Sequence, residues 1–174
     1  MREQIAEYVI SLYRDIPMAV YEGLLSVLCL GAVVVIACYG LKRGRRRIAG
    51  LLLVEYIFLI YCSTVIYRKG YEGAGYELIP FWSYNDPILF VENVMNVVAF
   101  IPIGLLMAIS QPNMKWWRLL LIGIFLSVGI EALQFFFVKG FSEVDDVIHN
   151  TLGCMIGIAL ACIPMFMIRK LKKQ

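Results

Sequence analysis

Five apolar runs, each about as long as a bilayer crossing, decide what this chain can fold into. They are Gly23–Leu41, Ile48–Tyr67, Asn93–Ser110, Leu119–Val138 and Val147–Ile168. A helix crossing the roughly 30 Å hydrocarbon core needs about 20 mostly apolar residues. The only charged residues in these runs are Glu55 and Glu131. The apolar positions are continuous rather than alternating, and backbone groups in lipid must be satisfied internally, so the spans are helices rather than barrel strands. With 61% hydrophobic and 17% charged residues in 174 positions, no room is left for a second, soluble domain. The expected architecture is an all-α membrane protein, a bundle of five transmembrane helices with a short N-terminal interfacial helix.

That interfacial helix is read over residues 1–17, where Ile5, Tyr8, Val9, Leu12 and Ile16 recur at helical spacing until Pro17. Its mixed charge and the lack of an A-x-A site do not fit a signal peptide. The loops orient the bundle. Lys42, Arg43, Arg45, Arg46, Arg47, Lys115, Arg118 and the four bases of the 169–174 tail put 11 Lys/Arg on one side, against five on the other. The positive-inside rule places the basic side in the cytoplasm, with the N-terminus outside, the C-terminus inside and Trp116 and Trp117 at the inner interface. The amphipathic loop from Arg68 to Phe90 (Leu78, Ile79, Phe81, Trp82) is expected to tuck into the outer mouth of the bundle. The net charge of +3 explains topology and contact with anionic lipid, not nucleic-acid binding. The five cysteines, Cys29, Cys38, Cys62, Cys154 and Cys162, all fall in the spans, without a C-x-x-C pair, and read as small packing residues.

Polar residues inside the spans hold the functional information. An ionised side chain at mid-bilayer costs about 2.5–3.5 kcal/mol on insertion scales, so such groups face a cavity or a partner. Glu131 and Gln134 share a face of the fourth run. Glu92, Asn93 and Asn96 open the third, with 92 and 96 on one face. Asp145, Asp146, His149 and Asn150 open the fifth, and i,i+4 spacing pairs Asp145 with His149 and Asp146 with Asn150. Under the assigned topology all nine lie within about 10 Å of the outer edge. They are expected to form a polar, outward-facing pocket, with Glu131 and Asp146 as the candidate acid/base groups. Each has a plainer reading beside it: a helix cap for an Asp, and interhelix bonding for Asn96. Asp145, Asp146, His149 and Glu131 are metal-binding residue types, but nothing fixes a geometry, so no metal and no cofactor is expected. Glu55, near the five bases of its loop, is expected to form a structural ion pair. Gly153, Gly157 and Ala161 form a small-residue stripe for close helix packing, within the chain or between chains, which leaves the oligomeric state open. Pro102 and Pro164 each free a backbone carbonyl.

These residues resemble the VanZ-like family. The resemblance rests on Leu78-Ile79-Pro80-Phe81, on Asn93-x-x-Asn96-x-x-x-Phe100-x-Pro102-x-Gly104, on Glu131-x-x-Gln134, and on Asp145-Asp146-Val147-Ile148-His149-Asn150-Thr151-Leu152-Gly153-x-x-x-Gly157. It covers residues 48–168 and implies a five-helix VanZ-like domain over 18–168. Asn96, Pro102, Glu131, Gln134, Asp146, Asn150 and Gly153 match the family's pattern. His149 is not part of it, and a basic residue of the family's loop before the Asp pair is replaced by Phe141-Ser142-Glu143. The resemblance implies a small multi-pass protein of the bacterial cytoplasmic membrane, named for teicoplanin resistance, with no established activity.

Three functions stay open. One is a protein that binds or modifies an outer-leaflet or envelope component, with membrane lipids, a lipid-linked precursor or a lipoglycopeptide as partner. Another is an intramembrane enzyme using Glu131 and Asp146. The third is a small transporter or proton relay, for which no inverted repeat speaks.

Overall fold

The computed structural model describes residues 42–68, 70 and 75–171. The expected interfacial helix, the first apolar run and the end of the basic tail lie outside these residues. The remaining runs form α1 (Lys42–Tyr61), α2 (Pro87–Ser110), α3 (Trp116–Phe136) and α4 (Val144–Leu171). The described residues therefore contain four helices long and apolar enough to cross a membrane, where five are expected for the whole chain.

Their boundaries follow from local chemistry. α2 starts at Pro87, ahead of the apolar run, because Asp86 caps it through the Ile88 N–H at 2.7 Å and proline is pre-set for a first helical position. Glu92, Asn93 and Asn96 consequently sit in its second and third turns. α4 starts at Val144, which places Asp145 and Asp146 in its first turn, and it runs on through the first bases of the tail. α3 ends in a Schellman motif: Lys139 N–H donates to Gln134 O at 2.8 Å and Val138 N–H to Phe135 O at 3.2 Å. Val138 holds the left-handed position (φ 52°) that glycine usually takes.

α1 does not end as an α-helix. The hydroxyls of Ser63 and Thr64 both donate to Ile60 O, at 2.9 and 2.8 Å. That carbonyl is thereby drawn toward side chains, and the chain continues as a π-helical turn, Cys62–Ile66. The loop that follows contains β1 (Gly75–Glu77) and a 3-10 turn (Trp82–Asn85); β2 (Phe141–Glu143) immediately precedes α4. β1 and β2 pair in parallel, with Tyr76 opposite Ser142. A Cβ on Gly75 would overlap the Phe141 ring, so a larger residue there needs that ring to move.

α2 and α4 pack backbone to backbone. A Cβ on Gly153 would overlap Val97 O, one on Gly157 Ile101 O, and one on Gly104 Cys154 O. The small-residue stripe is therefore used within the chain, against α2. α2 continues through Pro102. Phe100, Ile103 and Met107 of α2 meet Cys154, Ile158 and Ala161 of α4 and Ile130 of α3 in the core. Tyr56 ties α1 to α2 through Ala99 O at 3.1 Å. Cys62, Cys154 and Cys162 are free thiols. The side chains of Lys42 and Arg43, two of the bases expected near Glu55, lie outside the described residues.

Candidate functional site

The polar residues gather at the end of the bundle away from the basic loops, and they divide into two sets with different work. The first holds the long loop down. Asp145 is fully buried. Its carboxylate accepts the N–H of Phe81 at 2.6 Å, the N–H of Ser83 at 3.3 Å and the Ser83 hydroxyl. Ser83 Oγ in turn accepts from Asn93 Nδ2 at 2.8 Å. His149 Nδ1 donates to the backbone carbonyl of Asp145 at 2.6 Å, because a carbonyl can only accept. Its Nε2 is thereby left to accept the Tyr84 hydroxyl at 2.9 Å. The expected Asp145–His149 pairing is thus made through backbone. The loop's tucked residues are Ser83 and half-buried Trp82, whereas the side chains of Leu78, Ile79 and Phe81 are exposed. Backbone donors, with the side chains of Ser83 and Trp82 and not those of Leu78, Ile79 or Phe81, insert into the mouth.

The second set leaves carboxylates facing one another. Asp146 Oδ1 accepts from Asn96 Nδ2 at 2.7 Å, while Asn150, on the same face of α4, directs its amide N–H to Ser127. Glu131 Oε2 accepts the Glu143 N–H at 3.1 Å, which fastens β2 to α3. Glu131, Glu143 and Asp146 lie close enough to act electrostatically on one another, Glu92 acts on Glu143 and Asp146, and Arg68 opposes the charge on both Glu131 and Asp146. Glu143, just outside the span, has its pKa pushed up to about 7. Burial is the main cause, followed by the carboxylates of Asp146, Glu92 and Asp145. The indole N–H of Trp82 opposes this shift, although it makes no hydrogen bond of good geometry.

One helical turn deeper, Asn150 Nδ2 donates to Ser127 Oγ at 2.9 Å. Gln134 Nε2 donates to Thr64 O in the π-helical turn at 3.1 Å. Each amide uses its N–H, while Asn150 Oδ1 and Gln134 Oε1 stay buried without a partner. A buried unpaired acceptor costs about 1–3 kcal/mol, and such orphans mark places where a donor is received. Among the described residues no group of three or more His, Cys, Asp or Glu is arranged to hold a metal.

Arg68, Ser83 and Ser127 complete the site without standing out in the sequence. Ser127 is legible by period, since 127, 131 and 134 fall on one stripe of α3. Arg68 reads as a loop charge, and its packing beside Gly140 depends on contacts across the fold. Ser83 has no local signal.

This arrangement of Asn96, Glu131, Gln134, Asp146 and Asn150 lies within a match to the VanZ/LLP1 family model over residues 48–167. The chain belongs to the VanZ/LLP1 family. A VanZ relative, Protein VanZ of Enterococcus faecium, is 30% identical over 118 residues, covering 66% of this chain and 71% of the relative. No solved structure matches. As a member of this family the chain is a multi-pass membrane protein, and the family match reaches into all four described helices.

Proposed function

We propose that this protein binds or modifies an outer-leaflet or cell-envelope component and thereby raises tolerance to teicoplanin-type glycopeptides. In this reading the basic end of the bundle lies in the cytoplasm and the polar end faces out. The observation that supports it is the acid cluster of Glu131, Asp146, Glu143 and Glu92 inside or at the mouth of the spans. Intramembrane acids are expensive to insert, and they mark substrate or ligand paths. Teicoplanin-type drugs have an acyl chain and vancomycin does not, so a site at the membrane surface favours an effect on the former.

The test is a sensitive Gram-positive host given either the wild-type chain or an empty vector. A selective rise in teicoplanin tolerance is expected. No rise, or equal rises for teicoplanin and vancomycin, contradicts the reading. A second reading, an intramembrane enzyme with Glu131 and Asp146 as acid/base pair, is favoured by the mutual electrostatic action of these two carboxyl groups.

A further inference from the structure

The acid cluster opens sideways into an apolar groove. The groove has a volume of about 500 Å3 and lies between the polar ends of α3 and α4. Val128, Ala132 and Phe135 of α3 and Val147 of α4 wall it, and Glu131 and Glu143 line the same space. Residues 128, 131/132 and 135 follow the i, i+3/i+4, i+7 spacing, so the helical period itself puts a carboxylate on the groove face. We propose that this groove is a binding site for an amphiphile, taking its aliphatic chain along the apolar wall and its positively charged amine head against Glu131 and Glu143.

Two observations converge on that ligand. The volume falls within the roughly 300–1,000 Å3 of small-molecule sites. The apolar wall cannot select a ligand from bulk lipid, because lipid tails are as apolar as the wall. Selection must therefore come from the polar groups, and the charged ones that line the groove are the carboxyls of Glu131 and Glu143, beside the hydroxyls of Tyr76 and Ser142. Glu131 and Glu143 act on each other and on the neighbouring Asp146, and among the described residues Arg68 opposes Glu131 and Asp146. The cluster therefore complements a cationic head and repels an anionic one.

The inference rests on the polar end being a ligand site, as in the proposed function, but its test does not depend on a resistance phenotype. The full-length protein is placed in phosphatidylcholine nanodiscs. It is then exposed to photoreactive probes that share one diazirine-bearing alkyl chain and differ in the head: primary ammonium, maltoside or phosphate. Labelled peptides are mapped by mass spectrometry. The ammonium probe should label the groove segments of α3 and α4 at least about tenfold more than the phosphate probe, since placing like charges together costs more than the 1.4 kcal/mol of that ratio. Ala132→Phe, which fills the groove without altering charge, should remove groove labelling by all three. Glu143→Gln, at the mouth, should lower the ammonium preference while chain labelling persists; this readout does not require the filled groove to fold. Equal labelling by ammonium and phosphate heads, or labelling unchanged by Ala132→Phe, would overturn the proposal and leave ordinary annular lipid. Labelling without a teicoplanin effect would sustain the groove and defeat the resistance reading. A teicoplanin effect without labelling would do the reverse.

Discussion

The carboxylate of Asp145 and the backbone N–H of Phe81 meet at 2.6 Å across 64 positions of sequence. Phe81 is in the left-handed region (φ 64°), a conformation that costs a bulky residue about 1–3 kcal/mol and persists only where surrounding bonds hold it. The buried carboxylate supplies that hold through three donors of the loop. Asp145 is thus the lock of the loop rather than a free ligand group.

Asp145→Ala should therefore destabilise the protein by at least about 3 kcal/mol, since three donors lose their acceptor at about 1–3 kcal/mol each. Asp145→Asn keeps an acceptor oxygen and should cost about half as much. Thermal unfolding in detergent gives the stability, and hydrogen exchange over residues 78–86 should speed up first. A wild-type exchange pattern in Asp145→Ala would contradict the lock.

The two glycine environments predict opposite signs. Gly157→Val places a side chain against the backbone of α2 and should cost more than the 1–3 kcal/mol of ordinary overpacking, because backbone cannot step aside. Gly50 in α1 meets only Ser110 Cβ at 3.9 Å. Gly50→Ala should raise stability by about 1 kcal/mol, through helix propensity alone. Melting temperatures in one detergent decide both, and equal losses would refute the assigned packing.

Glu143 predicts a pH dependence. Its pKa is raised from 4.5 in the unfolded chain to about 7 in the folded protein. Below pH 4.5 both states hold the proton and no penalty arises. Between pH 4.5 and 7 the folded state binds more proton than the unfolded one, so stability falls as pH rises, and above 7 the penalty is constant. The group is half-buried, so the slope is damped by solvent. Glu143→Gln should flatten the melting temperature across pH 5 to 8 and raise it at pH 8. An unchanged slope in the variant would assign the titration elsewhere.

The membrane spans were legible because hydrophobic length is a property of each segment by itself. Glu131, Asp146 and Asn96 were legible as members of one polar end, because intramembrane polarity has a cost that sequence displays. Their partners were not. Asp146 bonds Asn96 and Asn150 bonds Ser127, each on another helix, because i,i+4 spacing fixes a shared face and says nothing of the helix opposite. The three-residue ladder of β1 and β2 is too short for any periodicity. The start of α2 was available in Asp86-Pro87, a cap and first-turn pair that hydropathy alone passes over.

In the proposed function the acid cluster at the polar end acts on the ligand and does not merely hold the fold. Glu131→Gln tests that role most directly, because it preserves the shape and an acceptor for the Glu143 N–H while removing the charge. Teicoplanin and vancomycin susceptibility are measured for empty vector, wild type and Glu131→Gln, with membrane levels matched by blot. Glu131→Gln should reach the membrane at the wild-type level and lose the selective teicoplanin shift. A full shift in Glu131→Gln would contradict that role.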